Sequence, residues 1–151
     1  MRLKKVFVTL VVAPLILSGA SAQADETATA HTALATSIGV HWNPIFESQY
    51  ARIMAMAESA KKTPATLKSY KALLLDFLEV RRVINDGLAS STSDLDAVAA
   101  YAEEETGEFS STISDLEKTI GKIATITCVK GKSFKKVTAV SPKCPSGYKK
   151  K

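Results

Sequence analysis

Between Leu67 and Leu88 the positions Leu67, Tyr70, Leu74, Phe77, Arg81, Ile84 and Leu88 recur at alternating steps of three and four residues. That spacing returns to one side of an α-helix, so the segment reads as a helix with an apolar seam interrupted by one cation. Leu73, Leu78, Val80 and Val83 widen the stripe. A stripe this broad needs cover from more than one neighbour, which favours a bundle core over an isolated two-stranded coil.

Punctuation on either side supplies the neighbours. Asn43-Pro44 and Thr63-Pro64 each set a capping residue before proline at the first helical position, where the missing N–H costs nothing. Helices are therefore expected to start at both places. In the first, Ile45, Phe46, Gln49, Tyr50, Ile53, Met54 and Ala57 form one face ending near Ala60; the second is expected to stop at Asp86-Gly87. Ser93-Asp94-Leu95-Asp96 then offers a capping serine and first-turn acids. A third helix follows, with Leu95, Val98, Ala99, Ala102, Phe109, Ile113, Leu116 and Ile120 on one face, Gly107 as a candidate bend and Gly121 as its stop. The short connections force antiparallel neighbours. The expected fold is mainly α: a three-helix antiparallel bundle, or a helical hairpin that completes its core by dimerising through heptad faces.

After residue 121 the period changes from helical to alternating. Ile123, Thr125, Thr127 and Val129 interleave with Ala124, Ile126 and Cys128, Lys130-Gly131-Lys132-Ser133 supplies a turn, and Phe134 to Val140 resumes the pattern. This is a β-hairpin signature, ended by Ser141-Pro142 and Cys144-Pro145-Ser146-Gly147. Cys128 and Cys144 are the only cysteines and lie in this one segment. Neither a Cys-x-x-Cys spacing nor a nearby histidine favours redox or metal chemistry, so a structural disulfide closing the hairpin is expected.

The amino terminus bears on compartment. Arg2, Lys4 and Lys5 precede an apolar stretch from Val6 to Leu17, and small residues follow from Ser18 to Ala22. Charged, apolar, then small is the order of a cleavable secretory leader, and the run falls short of the about 20 residues a spanning helix needs. Cleavage is expected after Ala22 or Ala24. The organisation is then a leader over 1–22, a linker or weak helix over the Ala/Thr-rich 23–42, a helical bundle over 43–121 and a basic hairpin tail over 122–151. A secreted or extracellular product is expected, with no transmembrane segment left after cleavage, and oxidising conditions suit the disulfide.

Charge divides along the same boundary. Residues 23–121 carry eight Lys or Arg against fifteen Asp or Glu, a balance of −7, whereas residues 122–151 carry nine Lys and no acid. Such a block either folds back on acidic helices of its own chain or reaches for an external polyanion. Lys130, Lys132, Lys135, Lys136, Lys143, Lys149, Lys150 and Lys151 are the candidate contacts.

The run Thr125 to Lys132, with Lys135-Lys136-Val137-Thr138, Pro142-Lys143-Cys144-Pro145 and Gly147 to Lys151, resembles a basic two-cysteine tail that closes various secreted actinobacterial proteins. The resemblance covers about 27 of the 151 residues. It implies a high-GC Gram-positive source and a reusable exported appendage, and it implies no activity.

No arrangement for catalysis emerges. His31 and His41 lie ten apart without companions for a zinc site, and Asp94, Asp96, Glu103, Glu104, Glu105 and Glu108 lack the alternating oxygen ligands and glycine of a calcium loop. There is neither a nucleophile elbow nor a phosphate-cradling glycine loop. The expected product is a non-enzymatic interaction protein without cofactor, metal or nucleic-acid partner, associated with cell-envelope polyanions or another exported protein. A structural homodimer is the alternative. A binder of small ligands between helices, with Tyr70, Phe77 and Phe109 as walls, is the weaker one.

Overall fold

The computed structural model describes residues 21–151, with side chains from residue 26 onward, so the leader read over 1–22 lies almost wholly outside the described residues. Helix α1 runs Ser21–Ala55, α2 Ala57–Ala60, α3 Pro64–Ala89 and α4 Leu95–Gly121; strands β1 Ile123–Lys130, β2 Ser133–Val140 and β3 Lys149–Lys150 follow. Gln49 on α1 reaches Thr106 and Ser110 on α4, and Arg52 reaches Ser114 and Glu117, so α1 and α4 advance together. Arg81 on α3 pairs with Glu47, and Tyr70 donates to Met54, which sets α3 against α1. The three long helices thus close as an up-down-up bundle that covers the centre of each apolar stripe within the chain, while Leu78 and Val83 at the edge of the α3 stripe stay exposed.

The core is a continuous cluster running from Phe46 and Ile53 on α1 through Tyr70, Leu73, Phe77, Val80 and Ile84 on α3 to Ala102, Phe109, Ile113 and Leu116 on α4. Its aromatic centre is Phe77, whose ring lies 5.9 Å from Phe46, 6.0 Å from Tyr50 and 5.1 Å from Phe109. Along α3 the buried positions are Thr66, Tyr70, Leu73, Phe77, Val80 and Ile84. The heptad is therefore real but rotated from the expected seam: Leu73 and Val80 hold its centre, while Leu74 and Arg81 sit at its rim. That rotation resolves the basic interruption, because Arg81 at the edge can hold Glu47 without entering apolar surroundings.

Helix α1 departs most from expectation. It does not begin at Pro44 but passes through it, and residues 23–42, expected as a linker or weak helix, are helical. Proline removes the N–H that would bond the carbonyl of Val40, yet Val40 and Pro44 both face solvent, where water can satisfy that oxygen. The Ala/Thr-rich stretch is nonetheless poorly buried. From residue 26 to 37 no side chain is buried, and only His31 and Ala35 are half-buried. Extending an existing helix avoids the cost of nucleation, and Ile38 with the His31 contact to the Ser93 carbonyl at 3.2 Å ties the extension to the bundle.

The joint between α2 and α3 is tight, as two successive helix signals require. Thr63 caps α3 by accepting from the Thr66 N–H at 3.2 Å, and the Thr66 hydroxyl donates to the Ala60 carbonyl at 2.8 Å. These threonines are buried because they close both helix ends at once. At the other joint Asp94, not Ser93, caps α4, accepting from the N–H groups of Asp96 and Ala97 at 3.1 Å each. Helix α4 runs on through Gly107 to Gly121.

Gly87 does not stop α3, which continues to Ala89. Its role is close approach: a Cβ there would lie 2.8 Å from Cγ2 of Val98, where α3 meets α4. Alanine would gain about 1 kcal/mol of helix propensity, but the branched and rotationally stiff Val98 opposes it. Gly87→Ala is expected to destabilise the chain with Val98 present and to stabilise it in a Val98→Ala background. A urea-unfolding double-mutant cycle measures the coupling, and additivity within about 0.3 kcal/mol would remove Gly87 from this role.

Arg52 and Glu117 form a two-pronged pair at 3.0 and 2.7 Å across α1 and α4. The hydrogen bond from Arg52 is the main cause holding the Glu117 carboxyl below its ordinary range. Among the described residues no helix is long and apolar enough to cross a membrane.

Candidate functional site

The sheet has the order β2-β1-β3, with both pairings antiparallel. The expected hairpin is present, connected through Gly131, whose φ of 57° suits glycine. The third strand was not anticipated from the sequence. Lys149 and Lys150 pair with Val129 and Cys128, and the Lys151 N–H donates to the Thr127 carbonyl at 2.9 Å. Two residues carry no readable alternation, and only the Cys128–Cys144 disulfide, with the turn closed by the Tyr148 N–H on the Pro145 carbonyl, returns the chain to that edge.

Register sorts the side chains onto two faces. Cross-strand partners point to the same side, so Ala124, Ile126, Cys128 and Lys130 share a face with Ala139, Val137, Lys135 and Lys150. The disulfide lies on this face, drawing the 141–148 segment over it, and the Lys130 side chain runs beside Gly147. Cys128 is fully buried there. On the opposite face Ile123, Thr125, Thr127 and Val129 stand beside Val140, Thr138, Lys136 and Phe134, with Lys149 next to Val129. The Thr125 and Thr138 hydroxyls share a hydrogen bond of 2.7 Å. Phe134 is 65 % exposed, and the Lys151 ammonium sits over its ring at 5.7 Å from the centroid.

The candidate lysines are brought together rather than scattered. Lys130, Lys132, Lys135, Lys136, Lys149, Lys150 and Lys151 all fall in the half of the sheet near the Gly131 turn, and only Lys143 lies outside it. All eight are exposed. Among the described residues every ion pair lies within the bundle: Arg52, Lys61, Arg81, Arg82 and Lys118 each meet a glutamate or aspartate. None of the tail lysines takes part in these pairs, so the tail does not neutralise the excess acid of the bundle.

Elsewhere, the His31 ring contacts the Ser93 carbonyl and the His41 ring meets Trp42 edge-on. Tyr70, Phe77 and Phe109 belong to the core. An open groove of about 760 Å³ lies instead between the start of α1 and the end of α3, lined by His31, Thr32, Asn85 and Ser90 among others. Among the described residues no group of three or more His, Cys, Asp or Glu is placed to hold a metal. Burial raises the Glu105 carboxyl above its ordinary range, with Glu108, Asp76 and Glu104 adding to the effect, and burial with Glu105 beside it pushes the Tyr101 hydroxyl up to about 12. These groups form an acidic face of the bundle remote in sequence from the lysines. Set against protein-family models, curated proteins and solved structures, the chain matches none.

Proposed function

We propose that this chain is an exported, non-enzymatic interaction protein whose bundle is a rigid carrier and whose lysine-rich sheet attaches it to polyanions of the cell envelope, such as teichoic acids or acidic polysaccharide. The observation that carries this reading is the set of exposed lysines gathered in one half of a small sheet, with no carboxylate among the described residues paired to any of them. Nine like charges in thirty residues repel one another, and a bound polyanion relieves that repulsion while releasing its own counterions. Exposed charges of this kind act over a Debye length of about 10 Å at 0.1 M salt. Retention on isolated envelope is therefore expected to fall steeply as salt is raised, and to vanish when residues 122–151 are deleted. Equal retention of the shortened chain, checked for intact helix by circular dichroism, would reject the proposal.

A further inference from the structure

The distribution of the lysines over the sheet narrows what they can meet. A flexible linear polyanion can follow exposed charges on either face of a sheet, whereas a flat anionic surface meets only charges gathered at one end. Here Lys130, Lys135 and Lys150 lie on the disulfide face, Lys136, Lys149 and Lys151 on the other, and Lys132 in the turn itself. The cations therefore ring one end of the sheet on both sides. That end is the far one: β1 leaves α4 at Ile123 and travels eight residues, roughly 25 Å at about 3.4 Å each, before the turn.

At the same end stands the one large aromatic of the sheet left to solvent. Phe134 is the second residue of β2, immediately past the turn, and lies beside Val129 with Lys149 and Lys136 flanking them. Its exposure earns nothing in water, since the disulfide segment covers the opposite face and leaves this one open. A protruding phenyl ring encircled by long cationic side chains matches a planar interface, anionic at its rim and apolar just beneath it. The lysine stems can lie along such a boundary with their ammonium groups at the charged level.

We infer that the turn end of the sheet docks end-on onto an anionic lipid bilayer, with Phe134 entering the headgroup boundary and the surrounding lysines meeting phosphate groups. This inference rests on the polyanion reading above and names the lipid surface as the polyanion. Lys151 stays over the ring in solution and swings outward with the other ammonium groups as the ring enters.

The test is co-sedimentation of the chain with vesicles of phosphatidylcholine alone or with phosphatidylglycerol added, alongside binding to a soluble acidic polysaccharide. The expected result is binding only to the phosphatidylglycerol vesicles and polysaccharide, weakened on vesicles roughly tenfold by Phe134→Ala and unchanged on polysaccharide by the same substitution. Phe134 is exposed and contributes to no buried core, so the variant keeps its fold, which amide-exchange protection in β1 verifies. Binding to the polysaccharide without binding to the vesicles, or equal vesicle binding by Phe134→Ala, overturns the bilayer inference and spares the polyanion reading. Failure to bind either overturns both.

Discussion

Phe77→Ala is expected to lower the stability of the bundle by about 3–5 kcal/mol, the range for deleting a fully buried aromatic ring. Phe77 has no exposed surface, and its ring meets aromatic side chains from both other long helices: Phe46 and Tyr50 on α1 and Phe109 on α4. Removing it leaves a hole where three helices converge, and rigid helix backbones cannot collapse into it. Native stability of about 5–15 kcal/mol would be cut by a large share. Urea unfolding followed by helical circular dichroism measures the loss. Leu75→Ala, on the solvent side of the same helix at 69 % exposure, is the control and is expected to stay within about 0.5 kcal/mol of the parent. A loss below about 1 kcal/mol for Phe77→Ala would contradict the placement of the core.

Replacing Cys128 and Cys144 together by serine is expected to unfold the sheet and leave the bundle standing. The helical core draws no residue from the strands, and Cys128 is the only fully buried side chain of the sheet. A few short strands without a covered apolar face are marginal in water. Closing a loop of sixteen residues restricts the unfolded segment by about 3 kcal/mol in the chain-entropy model, comparable to all that holds such a sheet. Amide-exchange protection from Thr127 to Lys130 should disappear in the serine variant while protection around Phe77 persists. Envelope retention should fall as well, although every lysine remains, because the cations would no longer be gathered at one end. Protected strand amides in the serine variant would show that the sheet holds itself without the disulfide. Retention equal to the parent would show that charge alone, without shape, carries the attachment.

The parts of this architecture that were legible beforehand share a cause: each is set by residues close together in the chain. Thr63-Pro64 starts α3 because the cap and the fixed φ of proline act within one turn, and Gly121 ends α4. The strand alternation from Ile123 to Val140 and the count of two cysteines sufficed for a disulfide-closed hairpin. The lysines were legible as charge, since no acid follows residue 121. The return of Lys149 to Lys151 to the turn end was not, because it depends on β3, a strand of two residues whose partners lie twenty or more residues back along the chain and beside the disulfide.

Helix boundaries and helix rotation were where local signals gave way. Asn43-Pro44 has every mark of a helix start, yet α1 crosses it because the lost hydrogen bond faces water and the upstream turns find support at Ser93 and in Ile38. Asp86-Gly87 has the mark of a stop, yet α3 crosses it because α4 comes close enough to require a residue without a side chain. On a broad apolar stripe, neighbouring positions differ by about 100° of rotation, and several of them satisfy the same period. The chain alone thus determined that there would be helices, roughly where, and that a cationic stapled hairpin would follow. Which residues of those helices face inward, Leu73 and Val80 rather than Leu74 and Arg81, was decided only by the positions of the other two helices, since burial is a property of the neighbours as much as of the residue.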